Sequence, residues 1–360
     1  MSDMSNDLIK TIDRICAAQC DRPVRVAAEA GQWPTALWQA LDDVGLVRGA
    51  LPEAAGGAGL EFDDAMLALR RSAYHAIPVP LAETMLAGRL LMAAGLDVPE
   101  GALTIAPVRD EAKLIASGAA AGATVSGTAR RVPWGDACRF AVVVADFEGA
   151  SVVGLVATQG LSTAVDKNLA GEPRAQLQFD HAPMIAAAPL ADAWKRLETE
   201  GALCRSVQMI GALERTLEYS LLYANDRVQF GKPIGKFQAV QHMLAILAGH
   251  VAASSAVVDA AVEASRAAAD EFAVAVAKSR VGEAAGKCAE IAHQVHGAMG
   301  YTHEHNLHYS TRRLWAWRDE FGGESHWQCR LGRIVSAAGP EALWQTLVGT
   351  RQPSAAGAAA

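Results

Sequence analysis

Three stretches carry residue types that could do chemistry. In "RDEFGGESHW", residues 318–327, the acids Asp319, Glu320 and Glu324 flank a Gly-Gly pair. Such a run is either an exposed acidic loop or a general base set where the backbone lets a ligand approach closely. "RVQFGKPIGKFQAVQHMLA" opens on Arg227 and leads into an apolar run; a lone Arg in front of an apolar helix is ordinarily a solvated surface residue. "THEHNLHY", residues 302–309, holds His303, His305 and His308. Only His305 and His308 would share a helical face and no carboxylate is clearly placed with them, so they read as solvated imidazoles and no metal site is expected.

The elements that must position these groups follow from periodicity. From about residue 33 to 96, "WPTALWQALDDVGL" and "FDDAMLALRRSAYHAIPVPLAETMLAGRLLMAAG" space apolar residues by three and four, as amphipathic helices do. Between them "LPEAAGGAGLEF" is a loop closing on a helix start at Asp63 or Asp64. From about 103 to 188, short Val-rich or alternating runs separated by Gly, Pro and Asp indicate strands, with Ala175, Leu177 and Phe179 alternating as a half-buried strand would. Beyond 190 the helical period returns: Val207, Ile210, Leu213, Leu217 and Leu221 form one stripe, and Phe237, Val240, Met243, Leu244, Leu247 and Val251 another. The expected fold is mainly α with a small middle β domain: an N-terminal helical domain over 1–102, a β domain over 103–189, a C-terminal four-helix bundle over 190–348 and a flexible tail over 349–360. No G-x-G-x-x-G follows a strand and no P-loop is present, which leaves a Rossmann or Walker site unsupported.

A chain of 360 residues that is 51% hydrophobic and 20% charged is globular and long enough for two or three units. Its formal charge of −7 and lack of a basic cluster give no electrostatic footprint for nucleic acid. The six cysteines are scattered without C-x-x-C spacing and read as reduced, buried thiols. "MSDMSNDLIK" has no basic n-region before an apolar core, and no stretch reaches about 18 uninterrupted apolar residues, so a cytoplasmic location without membrane spanning is expected.

The run from Arg227 resembles the R-x-x-F-G-x-x-I-x-x-F-Q-x-x-x-x-x-L-A signature of the acyl-CoA dehydrogenase family. Three further segments agree in order and spacing: "LPEAAGGAGL" with the family's P-E-x-x-G-G-x-G loop, "HQVHGAMGYTHEHNLHY" with its Q-x-x-G-G-x-G-[FY]-x-x-E segment, and "GGESHWQ" with the stretch after the usual catalytic Glu. The resemblance covers roughly residues 30–345. It implies FAD between the β domain and the bundle, an acyl-CoA substrate, electron-transfer flavoprotein or a similar acceptor, and a homo- or hetero-tetramer. It also implies that Arg227, Gln229, Phe230, Phe237 and Gln238 grip the FAD of a neighbouring subunit, with Gln294, Val295 and Gly297 adding contacts; a planar, always-charged guanidinium suits a diphosphate.

In the family a glutamate removes the α-proton of the thioester while the β-hydrogen leaves as hydride to flavin. Here Gly322, or Phe321 by a second count, occupies its usual place; the minority site on an earlier helix falls on Gly201, beside Glu200 and Ala202. "LTIAPVRDEA" and "RRVPWGDAC" also depart from the family's flavin-lining segments. Three readings stay open: a self-sufficient dehydrogenase with a displaced base, Glu320 first and Glu324 and Asp319 behind it; a non-catalytic subunit completing a partner's FAD site; and a flavin-dependent monooxygenase on the same fold.

Overall fold

A computed structural model describes residues 3–107, 113–120 and 122–348, the side chains of 3 and 346–348 excepted. The tail expected to be flexible, 349–360, lies outside the described residues.

Five helices open the chain: α1 (Asp3–Gln19), α2 (Arg22–Glu29), α3 (Thr35–Asp43), α4 (Phe62–Tyr74) and α5 (Leu81–Ala93). Each of α1, α3 and α4 turns one stripe inward, with Ile12, Leu37, Leu41 and Leu69 all at 1% exposure. Helix α5 is different: ten of its residues are buried, Glu83 among them. The loop before α4 is built as its glycines suggest, with Gly56 and Gly59 at positive φ and the helix beginning at Phe62.

Seven strands follow: β1 (Leu103–Ala106), β2 (Ile115–Ala116), β3 (Thr124–Pro133), β4 (Phe140–Phe147), β5 (Ala150–Ala157), β6 (Ser162–Lys167) and β7 (Pro173–Pro189). The ring β4-β2-β3-β7-β5 closes on itself through the β4–β5 pairing, β1 lies parallel to β4, and β6 pairs with β7. Closure removes most open edges. Ala175, Leu177 and Phe179 point inward at 1% exposure or less, and the register breaks between Ala129 and Val132, where Arg131 has φ 58°.

The C-terminal region is a bundle of α6 (Ala193–Asp226), α7 (Gln238–Ala264) and α8 (Glu271–His296), with α9 (Leu307–Arg318) packed on α6, α10 (Glu324–Ala338) on α8, and α11 (Pro340–Val348) at its end. A hairpin of β8 (Val228–Gln229) and β9 (Lys232–Pro233) joins α6 to α7. Helices α4 and α6 touch at Gly211, where a Cβ would sit 2.9 Å from the Tyr74 amide nitrogen, so only glycine permits that crossing. The two apolar stripes are only partly covered. Val207, Ile210 and Leu213 are buried, but Leu221 is 42% exposed; on α7 Leu247 and Val251 are buried, Phe237, Val240, Met243 and Leu244 are half-buried, and Ile246, off the stripe, is 53% exposed. Helix α7 is long and apolar enough to cross a membrane by length and composition, with one third of its most apolar window buried against the bundle.

Candidate functional site

Two of the three positions to which the resemblance assigns a base, Phe321 and Gly201, meet in space. Phe321, on the α9–α10 connection, lies over Gly201 of α6: a Cβ on Gly201 would come within 2.6 Å of Phe321 Cγ and Cε1. Phe321 is 3% exposed and held at φ 53°, a conformation unusual for a bulky side chain. Lys278 of α8 fixes this connection from below, its Nζ donating to the carbonyls of Arg318 (2.6 Å) and Gly322 (2.8 Å). Burial lowers the Lys278 pKa to about 8.

The Glu320 carboxylate is committed to two guanidiniums. Its Oε1 accepts from Arg174 Nη2 at 2.5 Å and its Oε2 from Arg205 Nε at 2.7 Å. Although burial opposes ionisation, these two guanidinium groups hold its pKa down at about 2. A carboxylate so committed is a poor proton acceptor near neutral pH. Arg205 also donates to Gln208 and to Glu83 of α5, and Arg174 to Glu172 at 3.2 Å. Glu172 is ion-paired with Arg313 at 3.4 Å and accepts from Asn168 and Trp317. Three acids and three arginines, drawn from α5, β7 and the strand's approach, α6, α9 and the α9–α10 connection, thus form a charge-balanced cluster. Among its guanidiniums none exceeds 5% exposure. Glu200 is likewise engaged, 2.8 Å from Arg89 and 2.9 Å from Arg196. A cavity of about 90 Å³ lies here, lined by Arg131, Pro133, Arg174, Trp315, Glu320 and Phe321 among others. That is room for a few waters.

The opposite holds at the hairpin after α6. Phe230 and Gly231 form its two-residue turn with φ 52° and 78°, the mirror-image turn that suits tight hairpins. A phenylalanine there is strained, and its ring stands 92% exposed, edge-on to Phe237 at 6.1 Å, with Lys232 Nζ 4.4 Å above the Phe237 ring. Arg227, Gln229 and Gln238 are exposed and Phe237 half-buried. At the end of α8, Gln294 and Gly297 are exposed, whereas Val295 is 5% exposed and offers only its backbone. His296 packs between the two segments, stacked on Tyr223 of α6 at 4.5 Å, its Nδ1 2.7 Å from the Ala292 carbonyl; burial drops its pKa to about 4.

Comparison with known proteins places this geometry. The acyl-CoA dehydrogenase N-terminal domain model matches residues 2–97 and the C-terminal domain model residues 194–331. Acyl-CoA dehydrogenase IpdE2 of Mycolicibacterium smegmatis is 31% identical over 297 residues, covering 81% of this chain and 85% of the relative. The chain belongs to the acyl-CoA dehydrogenase family. Acyl-CoA dehydrogenase FadE27 of Mycobacterium tuberculosis is 28% identical over 91% of this chain and 95% of its own. Among solved structures, the ChsE4-ChsE5 complex from Mycobacterium tuberculosis superposes with a TM-score of 0.85 at 26% identity, covering 94% of this chain and 99% of that one. The Tcur3481-Tcur3483 steroid ACAD superposes at 0.84 and 25% identity, covering 93% and 98%.

The family implies FAD, and the residues present fit it unequally. The cavity of about 90 Å³ beside the Arg174–Glu320–Arg205 pairs is smaller than a three-ring flavin, whereas the hairpin and the α8 terminus expose polar and aromatic groups of the kind that contact a cofactor. Two smaller expectations are corrected. His305 and His308 are not solvated imidazoles: His305 Nδ1 accepts from the Leu307 amide and His308 Nδ1 is 2.8 Å from the His305 carbonyl, so both brace the entry to α9. Five cysteines are buried, but Cys329 is exposed. The arginines and Glu83 and Glu172 of the buried cluster were not singled out in the sequence. Their only signal is the presence of charges inside otherwise apolar runs, as in "PLAETMLAG".

Proposed function

We propose that this chain serves acyl-CoA dehydrogenation as one subunit of a heteromeric enzyme, completing the FAD site of a related partner chain and supplying no base itself. The observation that carries this reading is Phe321 seated on Gly201: one aromatic ring fills two of the three positions for a base, the third is Gly322, and the nearest acid, Glu320, is held by two guanidiniums. FAD bound in the partner would supply the hydride acceptor. Toward it this chain would present Arg227, a planar cation suited to a diphosphate, the Phe230 ring, and the Gln229, Gln238 and Gln294 amides. The backbone at Gly297, where φ is 57°, allows close approach. The apolar outer faces around Leu221 and Ile246 suit burial against another subunit rather than water. The ChsE4-ChsE5 complex, and a relative whose name pairs Tcur3481 with Tcur3483, support a heteromeric assembly.

The test is expression of the chain alone and together with an acyl-CoA dehydrogenase-fold partner encoded beside it, recording the flavin absorption of each preparation. The expected result is a colourless chain alone and a yellow complex that bleaches with an acyl-CoA under anaerobic conditions. A homomeric preparation with stoichiometric FAD that bleaches on its own would overturn the proposal.

A further inference from the structure

A cleft of about 1050 Å³ opens between α1, α4, α6 and α7. Arg205, which lies over Phe321, and Val207, which lines the cleft, are two residues apart on α6 and so about 200° apart around it. The cleft is therefore on the side of α6 turned away from the interior cluster. Its lining is largely apolar: Phe62, Met66 and Leu67 of α4, Val207 of α6, and Val258 and Val262 of α7. Facing apolar side chains of neighbouring helices ordinarily interdigitate and leave no such room. Here ion pairs bridge the gap at two places. Arg266, just past the end of α7, holds Asp63 through Nε–Oδ1 at 2.9 Å and Nη2–Oδ2 at 2.6 Å. Seven residues further along α4, Arg70 donates to Asp259 (2.9 Å) and Ser255 (2.8 Å) of α7 and to Glu214 of α6 (3.2 Å). Seven helical residues span about 10.5 Å, so the two bridges bound an apolar slot of that length.

The mouth of this slot is acidic. Five carboxylates and three guanidiniums line the cleft, and each guanidinium is already engaged, Arg71 with Asp13 at 2.8 Å. At the start of α4, Glu61 is exposed and its carboxylate has no partner among the described residues. Asp64 Oδ1 accepts from the Ser5 hydroxyl at 2.7 Å, with no guanidinium beside it among the described residues. We infer that the cleft binds a cationic amphiphile, its apolar body laid along the slot and its ammonium or guanidinium head at Glu61 and Asp64. The volume matches the upper end of small-molecule sites, about 1,000 Å³. Covering the valines, Met66 and Phe62 supplies the gain of removing apolar surface from water, and the acidic mouth selects the sign of the head, since an anion would meet like charge there. The cleft shares no residue with the positions for a base or with the hairpin and α8 terminus, so it stands apart from the function proposed above.

The test is calorimetric titration of the full chain with octylammonium and with octanoate, each below its micelle-forming concentration. Octylammonium should bind saturably at one per chain, and octanoate at least about tenfold more weakly because of the like charge at the mouth. Glu61→Lys alters an exposed side chain with no partner to lose. It should weaken octylammonium and strengthen octanoate, narrowing the preference by about tenfold. Val262→Trp fills the slot and should abolish binding of both, with its urea midpoint reporting that the chain is folded. Leu67→Trp, at a half-buried position, makes the same test where Val262→Trp does not fold. Four results would each overturn the site: no saturable octylammonium binding to wild type, octanoate binding as tightly, a preference unmoved by Glu61→Lys, or binding that survives in a folded slot-filling variant.

Discussion

The interior between the β domain and the bundle and the rim formed by the β8–β9 hairpin and the α8 terminus are built by opposite rules. Inside, the clustered charges are matched: Arg174, Arg205 and Arg313 face Glu83, Glu172 and Glu320, and Phe321 closes on Gly201. On the rim, aromatic and amide groups stand without such neighbours, Phe230 at 92% and Tyr301 at 75% exposure. Buried ion pairs are indifferent to ligands and intolerant of losing a member. Exposed, preoriented rings have little to do with the stability of the chain that carries them and much to do with what docks on it.

That contrast can be broken or sharpened by measurement. Arg205→Met strands Glu320 and Glu83 in the interior and should destabilise the isolated chain by about 3–5 kcal/mol, the usual effect of removing one partner from a buried pair. A urea-denaturation loss under about 1 kcal/mol would mean that the cluster is not a structural unit. Next comes acid. Because the folded-state pKa of Glu320 lies near 2, below its ordinary 4.5, its contribution is fully present above pH 4.5 and is lost as pH falls toward 2. It should amount to about 3 kcal/mol. Equilibrium unfolding of Glu320→Gln, which lacks the titrating group, should show a shallower decline over that window; parallel curves would remove the ion pairs from the account. Gly201→Ala drives a methyl into the Phe321 ring and should cost about 1–3 kcal/mol as overpacking does. Part should be recovered in the double variant with Phe321→Ala, and strict additivity would show that the two do not touch. Smallest of all is Phe230→Ala, expected within about 0.5 kcal/mol of wild type in the isolated chain, as exposed substitutions are. Its effect should appear in the assembled complex, as faster flavin loss on gel filtration. A large stability loss in the isolated chain would place Phe230 among the structural residues.

Much of this was legible before any coordinates. The alternation of Ala175, Leu177 and Phe179 and the three-and-four spacing around Val207 and Ile210 reflect local periodicity, which a single strand or helix imposes by itself. Counting back from Arg227 reached Gly201, and the two counts for the later site reached Gly322 and Phe321; of these, Gly201 and Phe321 prove to be in contact. The ion-pair cluster was not legible. Glu83, Glu172, Arg174, Arg205, Arg313 and Glu320 are scattered over more than two hundred positions, and pairing across such separations leaves no local pattern. Nor could periodicity show that Leu221 and Ile246 would stay uncovered, since an apolar residue bound for a subunit contact looks the same as one bound for the core.

Phe321 and Gly201 also act together as a ratchet. Any side chain added at 201 meets the ring, and an acid at 321 would be set beside Glu320 on a backbone that already favours glycine. Placing a base at either position would need both residues and their charged surroundings to change together, because a side chain at 201 alone meets the ring.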